Sequence, residues 1–418
     1  MRERGVSLLK IKIKMKDIIE YFIIIFMIIL TGSARVSTAD SGALFHSLSL
    51  ILIILLALDI TEGFKKIPGK TILTLAGIII IAYYLISIVN YFETWKGLFL
   101  RFFWFFFIFA FTIKHHDNPR KIWDKLYNLI FIITLIAIAF FVAINFLNIQ
   151  LPFEYIEHEN IKTYYRSFLN VFCTADRYHR TNVFGFSFYR LQSFFWEPGI
   201  FAIYLNIALA YLTFYRAKKN IIHLLCYIFC MIFTLSTTGI IIAGFLVAIY
   251  IITNFKVAKK QRMLLALPLL LTASIVGSVI WIEKMTRTNV ENGSYYIRLN
   301  DFIIGASLIL EKPLLGFGYK CYDRFLMVSE QGNSNGIIIW GFTMGLVGLA
   351  FILVPFIYVI CASSRKNRKM EILYFALYVL FNMTEPLLMS PLMLFFLAFE
   401  YCKAIQLNRS RRGLFAGR

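Results

Sequence analysis

The chain has 418 residues, 59% of them hydrophobic, with a formal net charge of +20 and a mean hydropathy of +0.72. Its apolar runs are too many and too long for one water-soluble core, which excludes a soluble globule and points to an integral membrane protein. The charge calls for no nucleic-acid partner, because the distribution of Lys and Arg around the apolar runs accounts for all of it.

At about 20 apolar residues per crossing, spans are predicted at 18–31, 43–60, 71–89, 98–113, 126–147, 199–215, 221–237, 239–255, 263–282, 336–362, 370–383 and 391–405. The fold class expected is therefore all-α, a polytopic single membrane domain over 1–418 with about twelve transmembrane helices. Of 43 Lys and Arg, 29 fall in segments 1–17, 61–70, 114–125, 216–220, 256–262, 363–369 and 403–418, which the positive-inside rule assigns to the cytoplasm. Acidic residues divide 9 inside and 14 outside, so the inner side carries the whole +20. Both termini are then expected in the cytoplasm. Met1 to Lys16 reads as the basic flank of the first span rather than a signal peptide, with Ser37-Thr38-Ala39 a weak cleavage-like site.

Along the spans, Glu20, Asp59 and Arg101 lie near ends, where they are expected to reach water or headgroups. No charged residue falls at an inferred midplane, which argues against a proton-coupled carrier. Two outer connections, 148–198 and 283–335, are long enough to be functional. The first carries Glu154, Glu157, His158, Glu159 and His179, and its stretch from Ile156 to Phe168 is predicted as a short helix on the bilayer surface. It ends in Arg190-Leu-Gln-Ser-Phe-Phe-Trp196-Glu197-Pro198-Gly199. Ser236-Thr237-Thr238-Gly239 follows between two spans, as a tight re-entry or a compact turn with close helix packing. The second long connection begins polar, then shows a helical pattern from Tyr295 to Leu310 with Ile297, Ile304 and Leu308 on one side, stopped by Pro313. That helix carries Arg298-Leu-Asn-Asp301, and beyond it Gly316 and Gly318 make a turn able to offer backbone N–H groups to a ligand. Of six cysteines, Cys226, Cys230, Cys361 and Cys402 read as apolar filler. Cys173 and Cys321 fall one in each long loop, either free or cross-linking the two.

An arginine beside an acidic group at a helix edge suits an anionic lipid-linked substrate. The guanidinium fork donates two parallel hydrogen bonds to phosphate, which makes Arg190 and Arg298 the leading candidates, with Arg287 and Arg166 behind them. The competing reading is a structural salt bridge or headgroup anchor. Sugar transfer from a lipid pyrophosphate also needs a base for the incoming hydroxyl. Glu197, fixed before Pro198, is one candidate, although it also fits as a charge complementing a helix dipole. His158 and His179 are alternative bases, and Asp40 and Glu385 are further carboxylates that suit the same cavity. Trp196, Tyr295, Tyr296 and Tyr319 suit stacking on sugar faces, or serve as interface belt residues. The outer side offers no His or Cys pair at ligand spacing and no Asp-x-Asp, so neither a metal nor another cofactor is expected.

On these residues the chain resembles the O-antigen polymerase family, related to the O-antigen ligases. The resemblance rests on Arg190 through Phe201, on Leu235-Ser236-Thr237-Thr238-Gly239, on Arg298 followed by Glu311-Lys-Pro-Leu-Leu-Gly-Phe-Gly318, and on Asn335 through Gly348. It covers roughly residues 185 to 360 in motif and the whole chain in hydropathy. It implies a GT-C-like, metal-independent membrane glycosyltransferase of the bacterial inner membrane. Such an enzyme joins undecaprenyl-pyrophosphate-linked oligosaccharide repeats in the periplasm, with flippase and chain-length regulator proteins as further partners. Arg190, Glu197 and Arg298 would be catalytic, and Arg287, Trp196, Tyr295, Tyr319, Asn335 and His179 would bind substrate. Ligases and several polymerases carry a His beside the Asn that opens the span after the large loop. This chain reads Asn333-Ser334-Asn335-Gly336 there, with no histidine. The alternatives left open are an O-antigen ligase acting on lipid A core and a lipid-linked oligosaccharide flippase.

Overall fold

The structure is a computed structural model and describes residues 15–36, 42–61, 95–116, 118–158, 163–175, 180–183, 185–216, 220–254, parts of 261–282, 294–318, 323–329 and 333–416. Its helices are α1 (Met15–Gly32), α2 (Gly42–Thr61), α3 (Trp95–His115), α4 (Pro119–Asn145), α5 (Pro198–Phe214), α6 (Ile221–Thr234), α7 (Thr237–Asn254), α8 (Ser294–Glu311), α9 (Asp323–Leu326), α10 (Gly336–Ala362), α11 (Arg365–Thr384) and α12 (Pro391–Ala416). Between α4 and α5 come five strands: β1 (Glu154–His158), β2 (Thr163–Phe168), β3 (Phe172–Ala175), β4 (Thr181–Val183) and β5 (Phe186–Phe188). Helices stand at ten of the twelve predicted spans; 71–89 lies outside the described residues and 263–282 is described only in part.

Among the described residues, α2, α4, α7 and α10 are long and apolar enough to cross a membrane. Leu50, Ile54, Ile132, Leu135, Phe245 and Val354 are exposed on their outer surfaces, an apolar coat that lipid covers and water does not. The protein is a mostly helical membrane protein. Its centre is α5, buried on every side from Ile200 to Leu209, as expected of a helix without a polar face; the one strongly polar side chain there, Asn206, donates to Gly239 O at 3.1 Å. It packs on α4, α6 and α7, while α12, equally buried from Pro391 to Glu400, packs on α1, α3 and α10.

Local chemistry sets the element ends. Pro119 and Pro198 occupy the first turns of α4 and α5, where a missing N–H costs nothing. Asn220 caps α6 through Ile222 N, and Asn335 caps α10 through Ile337 N and Ile338 N. α6 ends on Leu235 in the left-handed conformation, two residues before α7 begins. Gly239 lies so near Ala202 of α5 that a Cβ would come within 2.7 Å of its neighbour. The Ser236 to Gly239 stretch is thus the compact turn with close helix packing.

Two expectations are corrected. The stretch from Ile156 to Phe168 is not a helix: β1, β2 and β3 form an antiparallel sheet, with β4 and β5 a separate hairpin. Residues 165–168 alternate between buried and half-buried, the period-two pattern of a strand with one covered face. Gly316 and Gly318 do not offer their N–H groups to a ligand. α10 breaks at Gly345, whose φ is +64, and the 313–318 segment fills the break. Leu346 N donates to Pro313 O at 2.7 Å and Val347 N to Leu314 O at 3.2 Å, while Phe317 N and Gly318 N donate to Phe342 O and Thr343 O, both at 2.8 Å. Backbone groups released by the break are repaired by the neighbouring segment, as membrane-buried backbone requires.

A third correction concerns charge. Glu20 and Asp59 do not reach water; they are 0% and 2% exposed. Lys125 Nζ holds Glu20 at 2.5 Å and Asp17 at 2.8 Å, Lys121 reaches Asp17 at 2.8 Å, and Lys114 and His115 hold Asp59 at 3.0 and 3.1 Å. Glu20, Asp59 and His115 are close enough together to coordinate a cation, but three lysines already balance the three carboxylates. The Arg101 side chain lies outside the described residues. This network ties α1, α2, α3 and α4 together at one end of the bundle. Glu20→Ala leaves Lys125 buried beside a single partner and should cost about 3–5 kcal/mol, read as a lowered unfolding midpoint in detergent. The double variant with Lys125→Met should recover most of that loss; no recovery would show that the ion pair is not the cause.

Candidate functional site

The opposite end of the bundle is organised by residues 190–197. Gly32 stands twelve residues after Glu20 on α1, about 18 Å along the axis, and its carbonyl accepts from Trp196 N at 3.1 Å. Ala34 N donates to Phe194 O at 2.9 Å, Leu191 N to Phe233 O of α6 at 2.9 Å, and Cys173 N of β3 to Ser193 O at 2.6 Å. The segment is therefore strapped across α1, α6 and the sheet, with Phe195 buried against Tyr204 of α5. It delivers Glu197 to the start of α5.

Glu197 occupies the N-cap position of α5, yet its side chain caps nothing. The carboxyl lies instead within hydrogen-bonding reach of that of Glu385, the residue that ends α11. Glu385 is buried and lies directly over Gly199, where any Cβ would collide with its Oε1. Gly199 is thus the space in which the second carboxyl sits. Burial pushes the Glu385 carboxyl well above the usual range, and the neighbouring Glu197 adds to the rise, while Arg298 and Arg190 oppose it. Two carboxyls sharing a hydrogen bond need one proton between them.

Arg190 is half-buried. Its Nε donates to Thr234 O at 2.9 Å and its Nη2 to Leu235 O at 3.4 Å, so it satisfies carbonyls at the C-terminus of α6. Its charge still acts on both glutamates, which offset the effect of burial in lowering its pKa. Arg298 is exposed on α8 and acts electrostatically on Glu385 and on Arg190. The two arginines expected from sequence therefore serve one site.

A chain of contacts carries α8 there. Asp301, one turn beyond Arg298 and 1% exposed, accepts from Ser334 N and Ser334 Oγ, both at 2.9 Å, and Asn333 Nδ2 donates to Asp301 O at 3.0 Å. Burial raises the Asp301 carboxyl pKa against those two bonds and the field of Arg298. Asn335 then caps α10, and Gly336 packs against the backbone of Asn382, Glu385 and Pro386. Asp301 thus fixes the entry to α10, and the Oδ1 of Asn335 serves as its helix cap.

Trp196 is half-buried against the core. Tyr295 lies on α8 with its side chain outside the described residues, and Arg287, His179, Tyr319, Asp40 and Cys321 are outside them altogether. His158 is on β1, placed opposite Thr163 of β2. Arg166 lies over the Phe153 and Tyr189 rings. Cys173 is a buried free thiol, its pKa pushed up to about 11 by burial. Sequence reasoning missed Tyr165, buried on β2, whose phenol is raised first by burial and then by Glu197 and Glu385. The alternation of β2 was the available signal, hidden by reading the stretch as helix.

The arrangement offers an acid and a base in one hydrogen-bonded pair, flanked by two cations. It carries a pH signature as well. A carboxyl with a raised folded pKa contributes its full stability below the ordinary glutamate value of about 4.3 and loses it as pH rises through the raised value. Wild type should therefore lose thermal stability over that window relative to Glu385→Gln, whose amide keeps the hydrogen bond without titrating. Parallel melting profiles against pH would contradict the shared proton.

No protein-family model matches the chain, and no curated protein matches it.

Proposed function

We propose that the protein is a membrane glycosyltransferase that polymerises undecaprenyl-pyrophosphate-linked oligosaccharide repeats into O-antigen or a similar surface polysaccharide. The observation that carries this reading is the Glu197–Glu385 carboxyl pair in the field of Arg190 and Arg298. In the proposed topology about twelve spans cross the bacterial inner membrane, both termini are cytoplasmic, and residues 148–198 and 283–335 are periplasmic.

The sugar-linked phosphate of the donor lies on the exposed Arg298, with Arg190 supplying positive charge from the α6 terminus. The bond between the anomeric carbon and the phosphate oxygen breaks, and the pyrophosphate leaves with the electron pair. A hydroxyl of the second repeat attacks that carbon and gives its proton to the ionised member of the pair. The protonated member holds its partner in place and keeps two negative charges from meeting the departing phosphate. Charge compensation by arginine suits a reaction without a metal, and the undecaprenyl-pyrophosphate-linked repeat is both donor and acceptor.

The ligase alternative would use a histidine beside Asn333 or Asn335, and none is there. A flippase would move the same lipid without joining it. Deletion of the gene should leave lipid A core capped with a single repeat; loss of every repeat with accumulation of lipid-linked polymer would identify a ligase instead. Arg298→Lys should fail to restore polymer as completely as Arg298→Ala, because a point charge does not reproduce the guanidinium fork. Full complementation by Arg298→Ala would overturn the assignment of that residue.

A further inference from the structure

Beside the strap lies a groove of about 430 Å³ between α1, α2 and α4. Its character changes along its length. The body is aliphatic, lined by residues such as Ile28, Leu48, Ile132 and Ile136, whereas Arg35 and Ser193 stand at the end nearest the strap. Ile132 is exposed, so the groove opens sideways along a face of α4, one of the helices apolar and long enough to cross a membrane. A site apolar along its walls and polar at one end matches a lipid chain with a charged head.

The polar end carries two further signs. Ser193 is fully buried, and its Oγ has no hydrogen-bond partner among the described residues, a condition that costs stability unless a ligand or water relieves it. Arg35 meets Glu154 at 3.5 Å with its side chain 40% exposed, a loose surface pairing that an anionic headgroup can share. Ser193 also falls midway between Arg190 and Glu197 in the strapped segment. The aliphatic walls suit a long hydrocarbon chain, and the cationic Arg35 at the end nearest the strap suits its anionic head.

We propose that this groove binds the polyprenyl chain of the lipid-linked substrate, with the first phosphate drawn to Arg35 and Ser193. The proposal rests on the reading of the site as one that acts on such a lipid. It makes α1, α2 and α4 the wall that holds the substrate by its tail while the sugar end reacts.

The test uses the purified full chain in detergent and a diazirine-tagged long-chain polyprenyl phosphate, with photolabelled peptides located by mass spectrometry. Labels should fall on α2 and α4 around Leu48, Ile132 and Ile136, and untagged polyprenyl phosphate should displace them while phosphatidic acid does not. Ile132→Trp, at an exposed position that leaves folding intact, should reduce labelling about tenfold by displacing slightly under two methylenes' worth of contact. Labelling elsewhere, or equal displacement by phosphatidic acid, would overturn the proposal and mark the groove as a site for ordinary membrane lipid. The probe carries no sugar, so labelling is independent of turnover. A labelled groove in a protein that forms no polymer would count against the polymerase reading alone, and polymerisation with an unlabelled groove against the groove alone.

Discussion

The rest of the site depends on a buried carboxyl, Glu385, held beside the half-buried carboxyl of Glu197. Glu197 and Glu385 come from distant parts of the chain, and burial together with the charge of Glu197 favours the neutral form of Glu385. Their meeting requires α5 and α11 to approach within the space left by a missing side chain at Gly199. A structural role alone would be served better by two apolar residues, since buried polar pairs stabilise little relative to hydrophobic replacements of similar volume. The raised pKa of Glu385 supports the proposed role in proton transfer, because a carboxyl kept neutral by its surroundings can act as an acid.

The surrounding fold keeps that pair in register. Residues 190–197 are bonded through their backbone to α1, α6 and β3, which leaves Glu197 little freedom. From the other side, Asp301 fixes Ser334, Asn335 caps α10, and Gly336 abuts the turn that carries Glu385. The break at Gly345, sealed by the 313–318 backbone, fixes where α8 crosses α10. Rigid supports of this kind are what a charged site at the edge of a membrane needs, because a misplaced arginine or carboxylate loses most of its electrostatic effect. The lysine and carboxylate network at the far end of α1 and α4 anchors the same helices from the other end of the bundle.

Much of this arrangement is legible in the chain itself. Long apolar runs mark the helices, and the pattern from Tyr295 to Leu310 gives α8 nearly to its ends because a polar start and Pro313 bound it. Arg190, Glu197 and Arg298 were visible through their context, and Glu385 through its place before Pro386. The strands were not, because aromatic residues beside scattered charges fit an interfacial helix as well as a half-covered sheet. Gly316 and Gly318 misled for a different reason: their positive φ is real, but Gly316 N donates to Lys312 O within its own turn and Gly318 N to Thr343 O beside the break in α10, a partner that no local motif reveals. Likewise Glu20 and Asp59 sit near helix ends in sequence, and only tertiary packing shows which lysines reach them.

The central claim is that a carboxyl pair and two arginines join lipid-linked sugars without a metal. Its most direct test is single-turnover reaction of purified protein with synthetic undecaprenyl-pyrophosphate repeats in the presence of a chelator, followed by length analysis of the products. A ladder whose rate collapses in Glu197→Gln and Glu385→Gln, with substrate binding retained in both, is the predicted result. Wild-type rates in either variant, or no product from folded protein with its own repeat, would contradict it.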